Sequence, residues 1–124
     1  MRVLLVEDEQ TTAKSIELML QSEGYLVDRT ELGEAGLQMG LLNDYDIIVL
    51  DLVLPGLDGY EVLGRLRAAE VQTPVLILSG LSEPDDSIKG YGYGADDYLT
   101  KPFERQELLA RIRLIARKDP LEKS

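Results

Sequence analysis

The chain has no cysteine and no histidine among its 124 residues. Without cysteine there are no disulfides and no thiolate zinc sites, and the redox compartment is left open. Without histidine, Ser–His–Asp and Cys–His catalysis and imidazole metal sites are excluded. Any chemistry must run on carboxylates, hydroxyls, lysine and backbone. Positive charge is scarce as well: 13 Lys and Arg face 23 Asp and Glu, a formal net charge of −10. A chain this acidic carries no footprint for nucleic acid or an anionic membrane surface, so DNA contact would have to come from a part outside this sequence. No apolar run approaches the roughly 18 residues of a membrane span, and "MRVLLVEDE" turns acidic too early for a signal peptide. The expectation is a cytoplasmic protein.

What is present is a regular alternation. Hydrophobic residues make up 44% and charged residues 29%, as in ordinary globular domains, and the length suits one domain with one core. Five short apolar runs, at residues 3–6, 25–28, 46–50, 74–78 and 97–99, recur at intervals of roughly twenty to twenty-five residues. Between them lie apolar stripes with helical spacing: Ala13, Ile16 and Leu20; Ala35, Leu37 and Leu41; Val62, Leu63 and Leu66; Leu108, Leu109, Ile112 and Ile115. Asp58 and Asp85 stand where N-caps are useful, while Pro84 and Pro102 punctuate loops. "KGYGYGADD" reads as a short, Gly-rich helix before the fifth run. Strands alternating with helices predict an α/β fold, a flavodoxin-like (βα)5 three-layer sandwich whose parallel five-stranded sheet has the order 2-1-3-4-5. Residues 1–118 form the expected domain, and 119–124 a polar tail or start of a linker that frays.

In that strand order, ligands bind beyond the carboxyl ends of strands 1 and 3. Strand 1 ends in Glu7, Asp8 and Glu9, and strand 3 ends in Asp51, so Glu7, Asp8 and Asp51 converge on one cleft. Three ionised carboxylates repel one another unless a hard cation lies between them or one is protonated. An all-oxygen set suits Mg²⁺, with Mn²⁺ as the substitute. Asp8 alone has a plainer reading as a helix N-cap. Strand 4 ends in Ser79 and Gly80, a hydroxyl and a sparsely covered backbone N–H, and strand 5 leads to Lys101 and Pro102. Lys101 taken singly is an ion-pair partner for Asp8 or Asp51, and a cis bond at Pro102 would aim it. Together the acids, Ser79 and Lys101 fit phosphoryl transfer to a carboxylate, with Asp51 as acceptor.

The stretches "VEDE", "VLDLVLPGLDG", "PVLILSG" and "GADDYLTKPF", in that order, resemble the receiver domain of two-component response regulators over residues 1 to about 118. "GADDYLTKPF" followed by "ELLARI" is similar to the OmpR-like branch, whose members carry a C-terminal winged-helix DNA-binding domain and control transcription. The resemblance implies that Asp51 takes a phosphoryl group from a histidine kinase or histidine phosphotransfer protein, which supplies the missing histidine. It implies that Asp8, Asp51 and the Val53 backbone carbonyl coordinate Mg²⁺, with Glu7 acting directly or through water. Lys101 would pair with the phosphoryl oxygens, Ser79 would donate to them and shift inward, and Tyr98 would pass from exposed to buried. Taken without the family, Tyr98 reads as simple strand packing, and Tyr91 and Tyr93 as surface or interface tyrosines.

The same resemblance implies a homodimer through the fourth helix, fifth strand and fifth helix, with Asp97, Glu107 and Arg111 at salt-bridging positions. Ser87 departs from the pattern, since a basic residue is usual there, and Lys89 lies half a turn round. Exposed pairs contribute only about 0–1 kcal/mol each, so this weakens the dimer without abolishing it. In receivers the residues two beyond the acceptor and the switch hydroxyl often help place the hydrolytic water; here they are Val53 and Leu81, both apolar. The resemblance therefore implies slow self-dephosphorylation.

Three other readings bear comparison. A haloacid-dehalogenase-type phosphatase needs a second Asp at position 53, where Val53 stands. A flavodoxin-like FMN binder needs a first loop rich in Ser, Thr and Gly, whereas "VEDEQTT" repels a phosphate without a metal. A receiver acting only as an interaction module, independent of phosphorylation, is expected to lack the acceptor or the lysine, and both are present.

Overall fold

The computed structural model describes residues 1–80 and 92–116. Five strands, β1 (Arg2–Val6), β2 (Leu26–Thr30), β3 (Ile47–Asp51), β4 (Val75–Ser79) and β5 (Asp97–Thr100), form one parallel sheet in the order β2-β1-β3-β4-β5. The described helices are α1 (Gln10–Ser22), α2 (Gly33–Leu42), α3 (Gly59–Ala68) and α4 (Arg105–Ile115), the last being the expected fifth helix. The predicted fold class and strand order are found. Asp85 and Pro84, with most of the expected fourth helix, lie outside the described residues, as does the tail. In the described end of "KGYGYGADD", Gly92 is helical and Tyr93 and Gly94 form a turn, with Gly94 at φ 102°, a left-handed conformation that ends the helix.

Period-two alternation in the strands produces two cores from one sheet. Val3 and Leu5 of β1 share a face with Ile47 and Val49 of β3, Leu76 and Leu78 of β4 and Leu99 of β5, and α1 and α4 cover that face through Ile16, Leu20, Leu108 and Ile112. Leu4, Val6, Ile48, Leu50, Val75 and Ile77 face the other way, onto Leu37 of α2 and Val62, Leu63 and Leu66 of α3. The register keeps like faces together, with Val3 beside Ile47 and Val49 beside Leu76. Because β1, β3 and β4 are apolar on both faces, they form the buried centre; β2, with Asp28, Arg29 and Thr30, takes an edge.

Two local devices set the strand ends that matter. The Glu9 carboxylate caps α1, accepting from the Thr11 and Thr12 backbone N–H groups at 3.1 and 2.6 Å. These bonds, the Thr12 hydroxyl foremost, hold its pKa below the usual carboxylate value. Asp58 caps α3 as expected, accepting from the Glu61 N–H at 2.9 Å. Just after that cap, a Cβ on Gly59 would lie 2.4 Å from the Asp51 carbonyl oxygen, so α3 starts directly on the backbone of the last β3 residue.

Candidate functional site

The capping role belongs to Glu9, which overturns the plainer reading of Asp8 as an N-cap and leaves that carboxylate exposed at the mouth of the cleft. Glu7, 1% exposed, and Asp51, 5% exposed, lie behind it at the ends of the adjacent strands β1 and β3. One carboxylate oxygen from each of Glu7, Asp8 and Asp51 lies within 4.8 Å of the others. All donors in this group are hard oxygens, one acid is open to solvent, and the chain has no imidazole or thiolate to compete. That donor set fits an Mg²⁺-type cation and does not suit a soft metal.

Lys101 is the cation facing these acids. Its Nζ donates to Glu7 Oε1 at 2.5 Å and to Asp51 Oδ2 at 3.1 Å. Burial lowers the Lys101 pKa, but the hydrogen bond to Glu7 and the Asp51 charge outweigh it, and the net shift is upward. Burial, reinforced by the hydrogen bond with Asp51, pushes Glu7 up from 4.5 to about 7. Glu7 therefore keeps its proton to higher pH than a solvent-exposed carboxyl does. On its other oxygen, Asp51 accepts from the Val53 N–H at 3.2 Å, so the loop after β3 orients the carboxylate. The Val53 side chain, 62% exposed, turns outward.

Ser79 is fully buried at the end of β4, and its carbonyl accepts from the Lys101 N–H at 2.7 Å. Gly80 follows, exposed, with open space where a side chain would stand. The Lys101–Pro102 peptide is cis, as the sequence suggested. Beside Lys101 a groove of about 460 Å³ runs along α1, lined by Thr12, Ser15, Ile16, Met19, Pro102 and Phe103 among others.

Tyr98 is half-buried and packs against the core on the α2–α3 side of the sheet. Asp97, Glu107 and Arg111 also come together: Arg111 Nη1 donates to both Asp97 oxygens at 2.8 and 2.9 Å, and Arg111 lies 3.8 Å from Glu107. Tyr93 is part-exposed, with its ring 5.5 Å from that of Tyr60. Leu81, Ser87, Lys89 and Tyr91 lie outside the described residues.

Sequence reasoning brought forward the residues of the cleft but missed Glu9 and Gly59 beside it, and Arg67 at the far end of β5. Glu9 could have been found from the acid two and three residues ahead of Thr11 and Thr12, an N-cap pattern competing with Asp8. Gly59 and Arg67 depend on contacts that only the folded chain shows.

The family model for the response regulator receiver domain matches residues 3–113. The cell cycle response regulator CtrA of Brucella ovis is 58% identical over 118 residues, which cover 95% of this chain and 51% of that protein. The chain therefore spans about half the length of the curated relatives it matches. Among solved structures, the Francisella response regulator 1452 receiver domain superposes with a TM-score of 0.87 at 37% identity, covering 91% of this chain and 93% of that one. The receiver domain of the Pseudomonas aeruginosa PAO1 sensor histidine kinase PA1611, which has a magnesium ion coordinated in its active site cleft, gives 0.86 at 34% identity over 92% and 95% of the two chains.

Proposed function

The chain belongs to the response regulator receiver domain family, and from that premise we propose that Asp51 accepts a phosphoryl group from a phosphohistidine and that the β5–α4 face reports the change. One observation carries the reading: a nearly buried carboxylate at the end of the central strand lies within reach of two further acids and 3.1 Å from a lysine ammonium. An isolated Asp in that place would be a cost without return.

An Asp51 carboxylate oxygen attacks phosphorus in line with the P–N bond of the donor. The P–N bond breaks, the imidazole keeps its electron pair, and solvent supplies its proton. Glu7, Asp8, Asp51 and the Val53 carbonyl would hold Mg²⁺, or Mn²⁺ in its place, which supplies charge neutralisation for the acids and the transferring oxygens. Lys101, already on Glu7 and Asp51, exchanges a carboxylate for a phosphoryl oxygen as that charge arrives. The Ser79 hydroxyl and the Gly80 N–H complete the cradle, and the pull on Ser79 draws Tyr98 inward. The groove along α1 and Phe103 is where a histidine kinase or histidine phosphotransfer protein seats its donor helix.

Val53 offers no hydrogen bond to an attacking water, which supports slow self-dephosphorylation. Asp97, Glu107 and Arg111 form the part of a homodimer face carried by β5 and α4. The output in a longer parent is transcription control through a C-terminal DNA-binding domain, and the setting is the cytoplasm.

Intact mass after incubation with acetyl phosphate and Mg²⁺, beside Asp51→Asn, tests the proposal. The expected result is a gain of one phosphoryl mass that disappears in Asp51→Asn and when the metal is chelated. A gain that survives Asp51→Asn assigns the acceptor elsewhere. No gain, either from acetyl phosphate or from a phosphorylated histidine phosphotransfer protein, leaves a phosphorylation-independent interaction module.

A further inference from the structure

Among the described strands β5 is the shortest, and it lies at a sheet edge, hydrogen-bonded only to β4. It nevertheless carries Asp97 and Tyr98 and leads directly to Lys101. Its carboxyl end is held by the backbone bond from Lys101 to Ser79. Its amino end is held by a side chain from another element.

That side chain is Arg67, on the last turn of α3. Its Nε and Nη2 donate to the Gly94 carbonyl at 3.1 and 3.0 Å, and its Nη1 donates to the carbonyls of Val71 and Thr73 at 2.7 and 2.9 Å. Nη2 also reaches Asp96 Oδ2 at 3.2 Å, the oxygen that accepts from the Val75 N–H at 2.8 Å. Asp96 returns a backbone bond to the Val75 carbonyl at 2.9 Å. One planar guanidinium therefore ties the loop after α3 to the turn before β5, and Asp96 sets the first β4–β5 pair, Leu76 beside Asp97. The turn is shaped to fit: a Cβ on left-handed Gly94 would lie 3.1 Å from Arg67 Cγ and Nε.

A second contact lies on the same face of α3. The Tyr93 ring packs 5.5 Å from Tyr60, over Gly64, where a Cβ would come within 3.2 Å of Tyr93 Cδ1. Tyr60, Gly64 and Arg67 follow the four- and three-residue spacing of one helical stripe. The helix that begins on the backbone of Asp51 thus ends by gripping the segment that starts β5.

We propose that Arg67 is a positioning residue for the switch: it fixes the amino end of β5 against β4, so that a change at Asp51 and Ser79 displaces Tyr98 and Asp97 against a stationary base. The inference rests on Asp51 as phosphoacceptor. Without the clamp the short edge strand slips or frays, and the signal is absorbed in the strand instead of reaching its outer face. The contacts at Lys101 are held from the other end and persist.

The test uses the chain as it stands, with tyrosine rings isotopically labelled for NMR and Tyr98 assigned by Tyr98→Phe. Phosphoryl mass gain from acetyl phosphate with Mg²⁺ and the accompanying change in the Tyr98 ring signals are measured together. In Arg67→Gln the mass gain stays at the parental level, while the coupling between phosphorylation and the Tyr98 state falls by about fivefold or more. Arg67→Lys, which keeps the charge but not the planar fork, gives an intermediate response. Asp96→Asn keeps an acceptor for Val75 and weakens the Arg67 contact; it shows the same split and serves if Arg67→Gln does not fold. A parental Tyr98 response in these variants overturns the inference, and so does loss of mass gain in step with the Tyr98 response. A parent that gains no mass overturns the phosphoacceptor reading and this inference with it; a responding parent beside an equally responding variant overturns the inference alone.

Discussion

The two ends of β1 handle carboxylates in opposite ways. At the amino end, Arg2 meets Asp28 at 3.2 Å and lies 5.0 Å from the Tyr45 ring centroid, while the Tyr45 hydroxyl donates to the same Asp28 oxygen at 2.8 Å. Asp46 is likewise matched, accepting from the Arg2 N–H at 2.7 Å. Burial, with the Asp28 hydrogen bond behind it, pushes the Tyr45 hydroxyl up to about 12, so it stays a donor across the physiological range. At the carboxyl end, Lys101 pairs with Glu7 and Asp51, while Asp8 stands exposed beside them. At the amino end each acid has its own hydrogen-bond donor; the carboxyl end carries surplus negative charge, which is what the proposed cation and phosphoryl group would answer. Acids alone therefore do not mark a site here, but acids short of partners do.

The sharpest test of that contrast is Asp8→Asn. Asp8 is exposed and caps nothing, so its loss leaves the fold intact and slows Mg²⁺-dependent phosphoryl uptake by about 10² to 10³-fold, measured by intact mass against time. The metal-free variant is expected to melt slightly above the parent, because one like charge has gone. An Asp8→Asn protein that takes up phosphate at the parental rate would break the comparison.

Next in size is a pH effect confined to the carboxyl end. Glu7 binds its proton more tightly folded, at about 7, than unfolded, at 4.5. Between these values the native state holds more protons than the unfolded state, so the contribution of Glu7 to stability is greatest below 4.5 and is lost as pH rises to 7. The loss is about 3 kcal/mol at most by the linkage relation. Urea unfolding of the metal-free protein across this range should show the decline, Glu7→Gln should flatten it, and saturating Mg²⁺ should suppress it by displacing the proton. At the matched end, Asp28→Ala removes the acceptor of a Tyr45 hydroxyl that lies in a residue only 2% exposed. It should cost about 1–3 kcal/mol with no change in phosphoryl uptake. The smallest effect is on lifetime: Val53→Asn should speed phosphate loss about fivefold, roughly 1 kcal/mol of activation free energy, followed as the decay of the phosphorylated mass.

Much of the frame was legible because apolar alternation is decided locally. Val3 to Val6 and Ile47 to Leu50 have no exposed option, and their neighbours in the sheet follow. The edge strand was less legible: its expected extent, 25–28, stops short of the observed Leu26–Thr30 because Arg29 and Thr30 carry no apolar signal. Their place in the ladder comes from pairing with Leu5 and Val6, a contact between distant parts of the chain. The cleft was legible in kind, since strand ends and residue types suffice to bring Glu7, Asp8, Asp51, Ser79 and Lys101 to one rim. Which acid caps α1 was not, because Asp8 and Glu9 are adjacent and only the helix start decides between them. Arg67 was invisible for a different reason. Its acceptors are mostly backbone carbonyls, which every residue has, so no residue type announces them.

The Asp97–Arg111 pair has a consequence for reversibility. Any docking partner that engages Arg111 takes it from Asp97 rather than from water, and hands Asp97 a replacement cation or leaves it to solvent. The number of ion pairs before and after is then the same, and the encounter is an exchange whose net driving force is small. Arg111 Nε, buried with no hydrogen-bond partner among the described residues, stays out of that exchange. A surface built this way would associate and separate on nearly level ground, as the proposed homodimer requires if it is to dissolve when phosphate is lost.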